Sequence, residues 1–384
     1  MTSTPLHSSS GLSANNVWNH SSQIYGVATE QHSESFSGAA DTVIDPNWSV
    51  VYDGNSYNVS VQWSWFPFQW SWWVILQLIF ALLGIVGNLL VMVVLFNGRR
   101  VRRTTDTLIG ALASADFATS VCLLPIPQIN SLPSESWLAD VYCKVIYPSL
   151  LMWVSVVASI FTLTAISVER YIAIAYPLYF RRTFSTTRTR IYIILIWVTA
   201  VAVNSYQFVA GIATDNTCVV MFPSTLAQKC VGVFVFAVEF VVPAVIMISA
   251  QIATAVILQK QTAKFSESKT SGNRSNPTLS HVVARKRILQ MLFMVATVFI
   301  ICWGPDQTFF LAFNLGLVSP VVLYGIAYRV LVVLAFVNSC ANPIIYTIRY
   351  PQFRSALKEI FTGIRDSQKA VFEMEMPSEK QTGS

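Results

Sequence analysis

Seven apolar stretches, each long enough to cross a lipid bilayer, dominate this chain of 384 residues. A transmembrane helix needs about 20 consecutive, predominantly apolar residues. Short polar loops separate the stretches, except for one longer polar segment at about 259–284. The pattern predicts an all-α membrane protein folded as a seven-helix transmembrane bundle. The predicted spans are about 72–96, 107–130, 144–171, 191–212, 231–258, 287–313 and 320–346.

The composition excludes two other classes of protein. Hydrophobic residues make up 54% of the chain and charged residues only 11%, whereas a soluble domain carries about 25% charged residues. Disordered chains show the opposite balance, with low hydrophobicity and high charge. A nucleic-acid-binding protein would gather its cations on one face or arm, but here short basic blocks alternate with the apolar stretches.

These basic blocks predict the orientation in the membrane. Residues 1–98 contain no Lys or Arg, whereas four Arg residues follow the first stretch directly. Because basic loops stay on the cytoplasmic side, the N-terminus is predicted outside and the C-terminus inside. This orientation places 22 of the 25 Lys and Arg residues inside. The three remaining cations are Lys144, Lys229 and Arg329.

Three regions follow from this topology: an extracellular tail (1–71), the bundle (72–346) and a cytoplasmic tail (347–384). The tail at 1–71 is rich in Ser, Asn and Gly and is predicted to be disordered. It is also predicted to be glycosylated, because it contains three Asn-x-Ser sequons. The sequon asparagines are Asn19, Asn47 and Asn58.

Six cysteines do not form a disulfide scaffold at this length. Cys143 and Cys218 both lie on the predicted outer side and could pair. Cys302 and Cys340 lie within spans, where they are expected to be buried small hydrophobes, and the pairing of Cys122 and Cys230 stays open. The four His residues are scattered, so no metal site and no cofactor is predicted.

Three acids lie well away from the ends of the predicted spans, where ionisable side chains are costly and mark functional sites by default. Asp116, in the second span, is near the depth of Asn88, Asn338 and Asn342. Such a cluster can bind a small cation or form a closed hydrogen-bond network.

The other two acids are predicted to lie at similar depth, below the outer ends of neighbouring helices. Glu239 is about 12 Å and Asp306 about 10 Å below those ends. The arrangement predicts a site for a ligand bearing an amine, Lys or Arg group; the alternative is a pair of protonated or hydrogen-bonded structural carboxyls. The polar and aromatic residues expected around Asp306 are Trp303, Gln307, Phe309 and Phe310.

Prolines interrupt the last three spans. Pro243, Pro305 and Pro343 each remove a backbone hydrogen bond and permit a kink. Three kinks in consecutive helices that face one cavity favour hinged movement.

The ordered motifs resemble those of the rhodopsin-like (class A) G-protein-coupled receptors over about 72–361. The Trp137, Cys143 and Cys218 positions are similar to the family's outer tryptophan and bridging cysteines, and the run after Phe353-Arg354 is similar to its short amphipathic eighth helix. The matching motifs are Gly87-Asn88, Leu112-Ala-Ser-Ala-Asp116, Ser167-Val-Glu-Arg-Tyr171, Trp197, Pro243, Cys302-Trp-Gly-Pro305 and Asn342-Pro-Ile-Ile-Tyr346.

The resemblance implies a plasma-membrane receptor that activates heterotrimeric G proteins, with arrestin and a receptor kinase as further partners. Arg170, between Glu169 and Tyr171, would face the G protein. Trp303 would sense the ligand at the pocket floor. The switch would also use Pro305, Asn342, Pro343 and Tyr346, and the family's sodium ion would bind Asp116, Ser159 and Asn338.

The resemblance also limits the ligand class. Phe336 stands where a retinal receptor has its Schiff-base lysine, and Met152 stands where an aminergic receptor has an aspartate. The run around Arg170 is most similar to neuropeptide receptors, so a neuropeptide with a cationic group is favoured. The ligand-site residues are then Asp306, Glu239, Trp303, Gln307, Met152 and Phe310.

Other functions fit less well. A small-molecule, amine-like receptor or an orphan constitutive receptor of the same family is the first alternative. A secondary transporter would use intramembrane acids and broken helices, but no internal repeat is seen. No nucleophile–base pair or metal-ligand spacing indicates an enzyme.

Two of the departures from the family's pattern concern the third and fifth helices. The segment between Cys143 and Arg170 is two residues longer than usual, which predicts either a different start of the third helix or a local bulge near Pro148. Gln251 occupies the place of a tyrosine that the fifth helix usually carries.

Overall fold

A computed structural model describes residues 63–97, 104–127, 129–133, 136–214, 217–269, 277–319, 322, 325–349, 353–354 and 357–358. Within 264–269 and 277–288 only the backbone is described. The three predicted glycosylation sites and most of the predicted eighth helix lie outside the described residues.

The described chain contains eleven α-helices, two π-helical segments and four short strands. The strands are β1 (Ser64–Trp65), β2 (Ile129–Ser131), β3 (Gly211–Thr214) and β4 (Thr217–Val220). The helices are α1 (Trp72–Asn97), α2 (Thr104–Cys122), α3 (Trp137–Val141), α4 (Leu150–Ala175), α5 (Pro177–Thr183), α6 (Thr186–Asn204), α7 (Tyr206–Ala210), α8 (Thr225–Val235), α9 (Val242–Lys269), α10 (Pro277–Asn314) and α11 (Ile326–Arg349).

Six helical stretches of the described chain are long and apolar enough to cross a membrane. They are Trp72–Phe96 in α1, Trp137–Ala175 from α3 to α4, Thr186–Ala210 from α6 to α7, Thr225–Ala263 from α8 into α9, Leu289–Asn314 in α10 and Ile326–Ile348 in α11. The remaining predicted span corresponds to α2, a helix of 19 residues with Asp106 and Asp116 among them. The helical membrane fold is therefore confirmed.

The second span ends earlier than the sequence predicted. Helix α2 stops at Cys122 rather than near 130, and the chain is already in β2 at Ile129. Pro125 and Pro127 follow the helix end. Proline cannot donate a helical hydrogen bond and disfavours helix in the preceding residue, so these residues prevent α2 from continuing.

The chain forms two compact units. The larger unit, at 70–125, 151–205 and 226–384, contains the long helices. In it α1 packs on α2 and α11, and α10 packs on α9 and α11. Its buried core includes Leu112, Ile160, Met247, Phe299 and Tyr346.

A π-helical segment, Phe236–Val241, joins α8 to α9. Pro243, the second residue of α9, has no N–H to donate to the carbonyl of Glu239, four residues earlier. The N–H of Val242 instead reaches back five residues to the carbonyl oxygen of Ala237. Single π-helical turns within α-helices are frequent at functional sites, and this one contains Glu239.

The smaller unit comprises residues within 1–69, 126–150 and 206–225. Strand β1 pairs with β2, and β3 with β4, both antiparallel. The predicted disulfide is present between Cys143 and Cys218, and both cysteines lie in a buried cluster with Leu132, Ala139 and Tyr142. A Cβ at Gly211 would lie 2.5 Å from the carbonyl oxygen of Cys143, so only glycine permits this close backbone approach.

The backbone is irregular on both sides of Pro148. Residues Tyr142–Ile146 form a second π-helical segment, in which the N–H of Tyr147 bonds to the carbonyl oxygen of Tyr142 at 2.8 Å. Ser149 then adopts a left-handed conformation with φ of 55°. Helix α4 starts immediately afterwards at Leu150.

Candidate functional site

Two buried carboxyls lie together in the larger unit. Glu239, on the π-helical segment, is 3% exposed, and Asp306, next to Pro305 inside α10, is 6% exposed. The two carboxyls interact electrostatically. In the described chain no Lys or Arg forms a salt bridge with either one.

Gln307 connects α10 to the π-helical segment. Its Nε2 donates a hydrogen bond of 3.5 Å to Glu239 Oε2. Its Oε1 is buried and has no hydrogen-bond partner among the described residues. The site therefore combines two carboxyls with an unused amide oxygen, and all three groups accept hydrogen bonds from a donor such as an ammonium group.

Aromatic rings border the carboxyls. Trp303 is 2% exposed and meets Trp153 of α4 edge to face, with ring centroids 6.1 Å apart. Phe309 packs on Tyr328 of α11 at 4.9 Å, and Tyr328 interacts electrostatically with Asp306. Phe310, also predicted for the site, is buried on the same helix. Aromatic faces attract cations, so these rings suit a positively charged ligand.

Met152 lies in an apolar cluster with Ala81, Leu123 and Phe336. The neighbouring Trp153 packs against this cluster and meets Trp303. The position that the resemblance matches to the acid of aminergic receptors thus lies in an apolar cluster. The acids of this site are on α10 and the π-helical segment instead.

Asp116 is fully buried at the centre of a polar cluster. Ser159 Oγ donates to its Oδ1 at 2.7 Å, and Asn342 Nδ2 donates to its Oδ2 at 2.8 Å. The resemblance implied Asn338 as the third member. Asn338 is buried too, but within the described chain no hydrogen bond joins it to Asp116, and its Oδ1 has no partner. The structure therefore brings Ser159 and Asn342 to the carboxylate.

Asn88 of α1 forms a hydrogen bond to α11 beside this cluster. Its Nδ2 donates to the carbonyl oxygens of Gly84 and Ser339, at 2.9 and 3.0 Å. Close by, a Cβ at Gly87 would lie 3.0 Å from Cγ of Pro343. The first-helix and seventh-helix motifs are therefore in direct contact.

The C-terminal part of α4, at the other end of this helix from Met152, carries the Glu-Arg-Tyr motif. Glu169 is 1% exposed; its Oε1 accepts a hydrogen bond of 3.1 Å from Thr105 Oγ1, and its carboxylate pairs with the Arg170 guanidinium. Arg170 also lines a cavity of about 310 Å³ with Phe180, Thr254 and Leu292. Tyr171 meets the Tyr176 ring at 6.2 Å, and Tyr346 is buried against Phe353.

Two structural contacts were missed by the sequence reasoning. Gln251 is buried, and its Nε2 donates to the carbonyl oxygen of Leu292 at 3.1 Å, which links α9 to α10. Arg329 of α11 is 7% exposed and lies over the Trp73 ring of α1, 3.7 Å from the centroid. An arginine within an apolar stretch was the available signal for the second contact, but its charge alone did not identify the helix it faces.

Comparison with known proteins gives a consistent family. The model of the 7 transmembrane receptor (rhodopsin family) matches residues 87–346, more than half of the chain. Similar proteins include trace amine-associated receptor 8b of Rattus norvegicus, 28% identical over 76% of this chain and 87% of its own. Receptor 7e of Mus musculus is 30% identical over 74% of this chain and 80% of its own. Trace amine-associated receptor 6 of Pan troglodytes is 27% identical over 76% of this chain and 86% of its own.

Proposed function

Because the chain belongs to the rhodopsin family of seven-transmembrane receptors, we propose that its extracellular ligand is a small amine, bound between Glu239 and Asp306. The observation that carries the proposal is the buried carboxyl pair without a cationic partner in the described chain. Buried charges are costly unless they are paired. An ammonium group supplies both the missing charge and hydrogen-bond donors.

The relatives support the amine rather than the peptide alternative. Their names mark them as trace amine-associated receptors, and they give no support to the neuropeptide that the local run around Arg170 favoured. The ammonium group would lie against acids of α10 and the π-helical segment, because the α4 position carries Met152.

The ligand would act by shifting an equilibrium between two helix packings. Trp303 and Asp306 are neighbours of Pro305 on α10, so contacts at the carboxyls bear directly on the part of that helix where proline permits a kink. The G protein would bind the end that carries Arg170, where the cavity with Leu292 borders α10. Because both partners would favour the same packing, each would strengthen the binding of the other.

The orientation and the remaining partners belong to the same proposal. The basic loops support an extracellular N-terminus and a cytoplasmic C-terminus. Arrestin and a receptor kinase would act on the cytoplasmic side, and a sodium ion would occupy the Asp116 cluster, next to Ser159 and Asn342.

The test is G-protein dissociation in cells that express the full chain, with panels of monoamines, diamines, peptides and uncharged alcohols of matched shape. Removing one partner of a buried charge pair costs about 2–5 kcal/mol. Potency should therefore fall at least about 30-fold in Asp306→Asn and Glu239→Gln.

Asp140→Asn is the matched control, because Asp140 is exposed and pairs with Lys144. It should leave amine potency unchanged, whereas Arg170→Ala should abolish the response. Amine potency unaltered in both Asp306→Asn and Glu239→Gln, at equal surface expression, would refute the binding site. A response to peptides alone would refute the amine ligand.

A further inference from the structure

Arg329 is a buried cation for which the described chain offers no carboxylate. Only 7% of its surface is exposed, and no described Asp or Glu lies within salt-bridge distance. Its Nη1 is buried without a hydrogen-bond partner among the described residues. Unpaired charges are strongly disfavoured in buried and membrane-spanning positions, so this residue needs a function or a partner.

The Trp73 ring satisfies only part of the guanidinium. The carbon at the centre of the group lies 3.7 Å from the ring centroid, so the ring covers one face. Aromatic contact of this kind involves the face of the guanidinium, whereas its five N–H donors point outward in its plane. The N–H groups along the edge of the guanidinium can therefore donate two parallel hydrogen bonds to one oxyanion.

The contact lies at the first turns of two adjacent helices. Trp73 is the second residue of α1, Arg329 is the fourth residue of α11, and these helices pack together. Trp70 and Trp72, beside Trp73, are 65% and 42% exposed. Exposed tryptophans at the ends of transmembrane helices are typical of the headgroup level of a membrane.

We propose that Arg329, held by Trp73, is an oxyanion-binding site between the first turns of α1 and α11, which takes a carboxylate or a phosphate. Two sources carry this chemistry: a phospholipid headgroup at the same depth and a free anion from solution. The first turn of α11 contributes partial positive charge in addition to the guanidinium. The site is separate from Glu239 and Asp306, so it does not depend on the amine proposal.

The test uses the full chain purified in dodecyl maltoside, a detergent without phosphate or carboxylate. The apparent unfolding temperature is followed at constant ionic strength as acetate, inorganic phosphate or short-chain phosphatidylglycerol is added, with a short-chain diacylglycerol as the uncharged lipid. Wild type should gain stability with at least one oxyanion and not with diacylglycerol. Arg329→Gln should lose this shift.

Two further variants test whether the stability gain requires Arg329 itself and whether it requires the planar guanidinium in addition to the positive charge. Arg182→Gln removes an exposed arginine of α5 and should respond like wild type. Arg329→Lys keeps the charge but not the planar guanidinium, so the oxyanion concentration that gives half of the stability gain should rise. This variant also replaces Arg329→Gln in the comparison if Arg329→Gln does not fold.

Each result decides the proposal. A shift with phosphatidylglycerol alone supports the site with a lipid headgroup as its occupant, and a shift with acetate or phosphate supports a free anion. No shift in wild type, equal shifts in wild type and Arg329→Gln, or an unchanged half-saturating concentration in Arg329→Lys would overturn it.

Discussion

Replacing Gly232 with alanine is expected to force α8 and α10 apart. A Cβ at Gly232 would lie 2.3 Å from Asn314 Cβ and 3.1 Å from its Cγ. Non-bonded carbon atoms in contact lie about 3.5–4.0 Å apart, so the two helices would have to separate by about 1.2–1.7 Å. The clashing Cβ atoms are fixed to the backbone, and a change of rotamer therefore gives no relief.

Overpacking of this kind costs about 1–3 kcal/mol. In a domain of comparable size each kcal/mol lowers the unfolding temperature by about 2–4 °C, so the fall should be several degrees. A functional effect is expected as well. Helix α8 leads into the segment that carries Glu239, and α10 carries Asp306, so their separation changes the spacing of the carboxyls and should lower amine potency.

The assay is thermal unfolding of purified protein with a thiol-reactive dye, after the exposed Cys122 and Cys230 have been blocked. The buried Cys302 and Cys340 then report unfolding. Gly304→Ala is the control, since its Cβ would meet only the far end of the Phe240 ring, at 3.1 Å.

Asn314→Gly removes the opposing Cβ, so adding it to Gly232→Ala should cost less than the sum of the two single changes. An unfolding temperature for Gly232→Ala equal to that of wild type, with unchanged amine potency, would refute the close approach of these helices.

Four more expectations concern other contacts. Ser149→Gly should raise stability by about 1 kcal/mol, because φ at this position is 55° and glycine has no Cβ to strain there; Ser149→Ala, measured in the same thermal assay, should give no such gain. Gln251→Leu removes the bond to the Leu292 carbonyl, worth about 0.5–1.5 kcal/mol, and should raise basal G-protein activation severalfold, whereas Ser249→Ala, whose hydroxyl bonds only within its own helix, should not; equal basal activity in both variants would contradict the role of Gln251. Cys143→Ser opens a bridge between residues 75 positions apart, and the expected loss of about 2–5 kcal/mol should appear as reduced surface expression. Asp116→Asn should remove any dependence of agonist affinity on sodium, measured against an organic cation, and a dependence that persists would exclude Asp116 as the sodium ligand.

Local pattern was enough to predict the membrane fold. The length and hydropathy of an apolar stretch are enough to predict that it spans the membrane. The spans and the all-α fold could therefore be predicted without knowing any contact between helices. The end of α2 was the exception, because an apolar run continues past Cys122 although Pro125 and Pro127 follow. The segment around Pro148 was left open by the sequence, and the structure shows a π-helical segment at Tyr142–Ile146 and a left-handed Ser149 there.

The partners of polar side chains were decided by tertiary structure alone. The sequence placed Asp116, Asn338 and Asn342 at similar depth, but helical rotation and tilt determine that Asn342 rather than Asn338 donates to the carboxylate. Arg329 and Trp73 are separated by more than half of the chain, and their contact arises only when α1 and α11 pack together. Hydropathy describes how a segment meets its solvent, whereas a hydrogen bond or a ring contact depends on positions fixed to a fraction of an ångström by several helices at once.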